Sequence, residues 1–140
     1  ETDTRESSMR SVLDIDPSSP APIWRQIEDG VRLLVASGAL EAGTAVPSVR
    51  ELAKTLRVNP ATVAKAYRRL TDAGLLAVRR GEGTFVSELS SDEREAERRR
   101  LLGEAATDYA KVVAGVGASR QAAIAAVRSA VGGGEERDNE

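Results

Sequence analysis

Thr62, Lys65 and Arg69 stand at i, i+3 and i+7. On an α-helix that spacing lines a hydroxyl, an ammonium and a guanidinium along one stripe. Arg68 lies beside the stripe and Asn59 at its entry. Without His or Cys, catalysis by this set would have to rest on lysine chemistry. It offers hydrogen-bond donors and positive charge, which suit a phosphate-lined groove with readable base edges. Asn can pair with adenine, and a guanidinium fork fits guanine or phosphate. A solvated charged face on a surface helix is the plainer reading of these residues taken alone.

The elements that would position the stripe are legible around it. Ser48 with Glu51 three residues on has the form of a capping box. The segment 49–56 then predicts a short helix with Val49, Leu52, Ala53 and Leu56 on one side. Arg57-Val58 makes a turn, and Asn59-Pro60 restarts the chain as N-cap and first helical residue. Val63, Ala66, Tyr67 and Leu70 give the second helix (residues 60–73) its apolar face, with Gly74 as its stop. Two short helices joined by a tight turn, with polar residues opening the second, form a helix-turn-helix pattern. Leu75–Arg79 then reads as a strand, Arg80-Gly81-Glu82-Gly83 as a turn and Thr84–Ser87 as a returning strand. A hairpin with arginines at a glycine tip, placed after such a pair, is a wing.

Several stretches together resemble the GntR family of bacterial transcription regulators. They are Pro22-Ile23-Trp24-Arg25-Gln26-Ile27, Pro47-Ser48-Val49-Arg50-Glu51-Leu52-Ala53, Val58-Asn59-Pro60-Ala61-Thr62-Val63, Tyr67-Arg68-Arg69-Leu70, Gly74-Leu75 and Arg79-Arg80-Gly81-Glu82-Gly83-Thr84-Phe85-Val86. The likeness covers about residues 22–87, and the parts occur in order. It implies a winged helix-turn-helix that binds double-stranded DNA. Arg50 would contact phosphate or base, and Asn59, Thr62 and Lys65 would enter the major groove. Arg80 and Gly81 would sit at the wing tip near the minor groove, and Ser48 would stand where helix amides meet phosphate. Arg68, Arg79 and Thr84 are secondary candidates. The chain carries Pro60 and Ala61 where relatives can have arginine, so base preference does not transfer.

Composition agrees with a local rather than a global nucleic-acid footprint. The net charge is −2 over 140 residues. Between Asn59 and Gly81, however, Lys65, Arg68, Arg69, Arg79 and Arg80 face a single acid, Asp72. Cysteine and histidine are absent, which excludes a disulfide framework, a thiolate nucleophile and the usual zinc ligands. Asp and Glu scatter over surface patterns, so no enzyme, metal or cofactor is expected. No apolar run approaches the roughly 18 residues of a membrane span, and no signal sequence is evident. A cytoplasmic bacterial protein is expected.

Residues 1–20 are polar and acidic, and read as a mostly disordered or extended arm. Within it Val12-Leu13-Asp14-Ile15 alternates as a short strand would, and Met9 reads as a candidate native start, with the residues before it foreign. Pro22 can open a first helix carrying Ile23, Ile27, Val31 and Leu34, closed by Gly38. Trp24 is the sole tryptophan and is expected to be partly buried. Residues 39–47 read as a turn-rich connector anchored by Leu40 and Val46.

After Ser91 the sequence turns to mixed charge, with Glu95 and Arg99 at i,i+4 and a triple arginine at 98–100 that reads as a solvated face. Leu102, Ala105, Tyr109, Val112 and Val116 follow with heptad spacing. Gly115 and Gly117 break the run, Ser119 caps a last helix, and Ile124, Val127 and Val131 make its stripe. Leu102, Ala105, Tyr109, Val112, Val116, Ile124 and Val127 are therefore the expected homodimer interface.

The expected fold is mainly α with a small β-hairpin. Residues 21–89 form a winged helix-turn-helix, 90–131 a two-helix dimerisation segment, and 132–140 a disordered tail. So short a tail is similar to the YtrA-like subgroup, whose members commonly repress membrane-transporter operons. A small-molecule effector stays open, with no convergent polar cluster to mark its pocket. The expected function is a transcriptional regulator, by family habit a repressor, that reads a palindromic operator as a homodimer. The competing readings are a winged-helix protein-interaction module and an architectural DNA binder without operator specificity.

Overall fold

The computed structural model describes Met9 and residues 13–133. The chain divides into two compact units, residues 1–99 and 100–140. In order, the elements are α1 (Ile23–Ser37), α2 (Val49–Leu56), α3 (Pro60–Asp72), β1 (Leu76–Arg79), β2 (Gly83–Val86), α4 (Ser91–Gly115) and α5 (Arg120–Gly132).

The start signals act as expected. The Ser48 hydroxyl accepts from the Glu51 amide at 3.1 Å, and the Asn59 side chain accepts from Ala61 N at 2.9 Å. Each satisfies an amide that a helix start leaves open. Between the helices Arg57 takes a left-handed conformation, φ +57°, and its N–H closes back on α2. That sharp reversal lets α3 cross α2 and also pack on α1 and β1. Ile27, Val31, Leu34, Leu52, Val63 and Leu70 meet in one core, to which Leu76 and Val86 bring the base of the hairpin. Tyr67 sends its hydroxyl to the Pro47 carbonyl at 2.7 Å, which ties α3 to the residue before the Ser48 cap.

The hairpin is antiparallel, with Leu76 opposite Val86 and Arg79 opposite Gly83. Gly83 is thus already in the returning strand, and the loop is Arg80-Gly81-Glu82, with Gly81 at φ +79°. The connector expected to be turn-rich is partly a third rung. Gly43 N bonds to Val86 O, Val86 N to Thr44 O and Val46 N to Thr84 O, so the outer edge of β2 is covered.

Of the arm expected to be mostly disordered or extended, Met9 and residues 13–20 are described. Met9 and Leu13 are buried in the core, and Leu13 N donates to Met9 O at 2.9 Å. Residues 13–16 form no strand; Val12 lies outside the described residues. Gln26 holds the arm's end, accepting from Asp16 N and donating to the carbonyls of Asp16 and Ala21. Gly30 makes room for this packing, because a Cβ there would collide with the Leu13 side chain.

The first unit also ends later than residue 89, because the opening turns of α4 are fastened to α1. Arg98 donates to the Ala36 carbonyl at 2.8 Å, and Arg32 pairs with Glu97 at 3.5 Å. Arg98 is therefore not a purely solvated residue. Glu95 pairs with Arg98 rather than with the expected Arg99.

In the second unit the rest of α4 and α5 form a helix pair closed by a bond from the Tyr109 hydroxyl to Ala123 O at 2.8 Å. Gly117, at φ +68°, makes the turn, and Ser119 caps α5 through Ala122 N. Neither helix buries any residue fully. An open apolar groove of about 760 Å³ remains between them, lined by Tyr109, Val113, Ile124 and Val127 among others. The expected heptad seam is split. Tyr109 turns to α5, while Leu102, Val112 and Val116 stay 72%, 60% and 73% exposed. No helix among the described residues is long and apolar enough to cross a membrane. The end of the expected disordered tail, residues 134–140, lies outside the described residues.

Candidate nucleic-acid interface

The periodicity of α3 separates its residues cleanly. Val63, Ala66, Tyr67 and Leu70 are buried against α1, α2 and the hairpin, so the remaining positions point outward. Lys65 and Arg68 are exposed and Thr62 is half-buried. Asn59 is exposed at the helix start, where its side chain is engaged with the Ala61 amide. Ser48 and Arg50 are exposed at the N-terminal end of α2.

On the hairpin, Arg79, Arg80 and Gly81 are exposed and Thr84 is half-buried. The two arginines differ in their surroundings. The Arg79 guanidinium lies 4.2 Å from the Phe85 ring centroid, which holds it on the strand. Arg80 extends into the loop. Arg50, Arg68 and Arg80 enter no ion pair among the described residues, so their charge faces solvent.

Arg69 behaves otherwise. It belongs to the stripe by spacing, but its Nε bonds Glu28 Oε2 at 2.7 Å. Glu28 is buried in α1 and also takes Arg32 at 3.1 Å. Trp24, one turn before Glu28, lies under two cations, with Lys65 Nζ at 4.4 Å and Arg69 Cζ at 4.7 Å from its ring centroid. Arg69 thus remains exposed on the stripe but is tied to α1, while Thr62, Lys65 and Arg68 enter no ion pair among the described residues.

Residues 24–86 match the model of the bacterial regulatory proteins of the gntR family. Across a longer span the chain is 34% identical over 116 residues to the HTH-type transcriptional regulator Rv1152 of Mycobacterium tuberculosis, covering 83% of this chain and 91% of that one. The chain belongs to the GntR family. It is 43% identical over 77 residues to the HTH-type transcriptional repressor YtrA of Bacillus subtilis. That match takes in 55% of this chain and 59% of YtrA. A solved GntR-family regulator from Listeria monocytogenes superposes with a TM-score of 0.69 at 29% identity, covering 81% of this chain and 97% of that one. The YtrA likeness agrees with the YtrA-like subgroup of this family. As a GntR member the protein is a DNA-binding transcription regulator, not an enzyme.

Two features of this GntR domain escaped the sequence reading. Glu28 sits among Ile27, Val31 and Val35 on the inward side of α1, and a carboxylate inside an apolar stripe is the signal that a buried cation must meet it. Trp24 reads as a packing residue, and its contact with Lys65 and Arg69 depends on how α1 crosses α3, which spacing does not specify.

Proposed function

We propose that this GntR-family regulator binds a two-fold symmetric DNA site as a homodimer and acts in the cytoplasm as a repressor. The N-terminal half of α3 enters the major groove with Asn59, Thr62 and Lys65, with Ala61 free to meet a thymine methyl. Arg50 and the amides beneath Ser48 meet phosphate, as does Arg68. The Arg80-Gly81 tip approaches the minor groove, backed by Arg79 and Thr84. The observation that carries this reading is the set of unpaired, solvent-facing cations, Arg50, Arg68 and Arg80, borne by the three parts of one winged helix-turn-helix. A chain of net charge −2 keeps such a set for an anionic surface.

The second unit supplies the symmetry. Helices that bury nothing fully and present Leu102, Val112, Val116, Ile124 and Val127 to solvent are covered by the same helices of a second copy, which also fill the groove beside Tyr109 and seat Ala105. The apolar lining favours this occupant over a polar effector.

Selection from a random duplex library with the purified protein, followed by footprinting and a salt series, tests the proposal. The expected result is a palindrome whose half-site centres are about 10 base pairs or a multiple apart, bound with an affinity that falls steeply with salt. Recovery of no enriched sequence, or binding insensitive to salt, would overturn it.

A further inference from the structure

We infer that Trp24 is a positioning residue for DNA reading: its indole, on α1, holds the Lys65 ammonium of α3 in the place from which it meets the duplex. This rests on the DNA-binding reading above and assigns a role to a residue outside the helix-turn-helix and wing. The arrangement is a match of two helical turns. Trp24 and Glu28 are i,i+4 on α1, and Lys65 and Arg69 are i,i+4 on α3. The Trp24 ring takes both cations, at 4.4 and 4.7 Å, whereas of these two Glu28 takes Arg69, at 2.7 Å, beside its own neighbour Arg32. Among the described residues, Arg69 is therefore fixed by an ion pair and a ring, and Lys65 by the ring alone.

An exposed lysine is otherwise a mobile charge on a four-carbon stem, and that freedom is lost when it binds. An aromatic face attracts an ammonium without consuming its hydrogen-bond donors, since the attraction is to the ring quadrupole. Lys65 thus arrives at the groove ordered but with its donors free. A carboxylate in the place of Trp24 would order it equally well while cancelling the charge that DNA needs. Arg69, which does have that carboxylate, shows the contrast within one helix.

The test is a double-mutant cycle on the duplex selected by the wild-type protein. Trp24→Leu removes the ring and keeps an apolar side chain, Trp24→Phe keeps a ring, and Lys65→Ala removes the cation. Trp24→Leu is expected to weaken binding by about 3- to 5-fold, as suits the loss of a part-exposed cation–π contact. Trp24→Phe should restore most of that loss, and in the Lys65→Ala background Trp24→Leu should cost little more. Since Trp24 is the only tryptophan, its emission should also change when the duplex is added to the wild type. Equal binding by Trp24→Leu and wild type would overturn the inference, as would penalties that simply add. If Trp24→Leu does not fold, Trp24→Met, which also lacks a ring but adapts more readily to its surroundings, takes its place in the cycle under the same criterion of additivity. Failure of the wild type to select any duplex would instead sink the DNA reading itself, which separates the two outcomes.

Discussion

Arg69 and Glu28 are joined across forty-one positions of sequence by a 2.7 Å bond from the guanidinium Nε to a buried carboxylate. The pair fastens α3 to α1, and Glu28 extends it through Arg32 to Glu97 on α4. Removing one member of a buried pair leaves the other charge desolvated, which costs more than the pair contributes when intact. Arg69 is half exposed, however, and Arg32 retains Glu97, so the loss is moderated. Glu28→Gln should lower unfolding stability by about 2 kcal/mol. Arg69→Ala should cost less, since Glu28 keeps Arg32. Urea denaturation of the two variants gives the order directly.

Lys65→Ala and Arg50→Ala separate base from phosphate contacts. A lost base contact should weaken binding to the selected duplex by about 1–3 kcal/mol and relax preference at one position. A lost phosphate contact should reduce the salt slope by about one unit, uniformly across sequences. Unchanged binding by both variants, with their melting curves intact, would remove these assignments.

Gly30 and Leu13 should be coupled. Ala at position 30 drives its methyl into the Leu13 side chain, and this outweighs the gain in helix propensity. Gly30→Ala is expected to destabilise the fold by about 1 kcal/mol. In a Leu13→Ala background the obstruction is gone and the same change should become neutral or stabilising. Chemical denaturation of the two singles and the double reads the reversal of sign.

Tyr67 sets an alkaline limit. Burial, with a smaller contribution from the Glu51 charge, pushes its phenol well above the ordinary value of 10.0. Above that ordinary value the unfolded chain releases a proton that the folded chain retains. Stability from this group is therefore complete below about pH 10 and falls as pH rises beyond it. Tyr67→Phe should cost about 1–2 kcal/mol at neutral pH, because the buried Pro47 carbonyl loses its donor. It should also show a shallower decline above pH 10, measured by thermal melts on a pH series.

Val112→Glu tests the second unit. The residue is exposed in a single chain, so a charge there should leave the fold of one copy unchanged. If the helices of two copies pair through it, sedimentation should show monomer where the wild type gives dimer. Binding to a palindrome should fall while binding to a half-site persists.

What spacing and residue type determined by themselves was local. Ser48 and Asn59 cap their helices because the bonds reach only two or three residues along the chain. Val63, Ala66, Tyr67 and Leu70 turn inward because a helical period leaves them no other side. The hairpin was legible to within a residue, as Gly81 supplies the positive φ its loop needs. The motif string over residues 22–87 named the GntR family for the same reason, since its signals are short-range.

Only the tertiary structure decided the rest, and in each case two distant segments had to meet. Arg69 is tied down within its stripe because α1 brings Glu28 and Trp24 to it. Met9 and Leu13 became core residues because Gly30 leaves a gap on α1 that a polar arm can reach with its few apolar side chains. Residues 43–46 became a rung because β2 had an unpaired edge beside them. Local pattern sets which side of an element is apolar, but the partner of a charge or an edge is fixed by how elements cross.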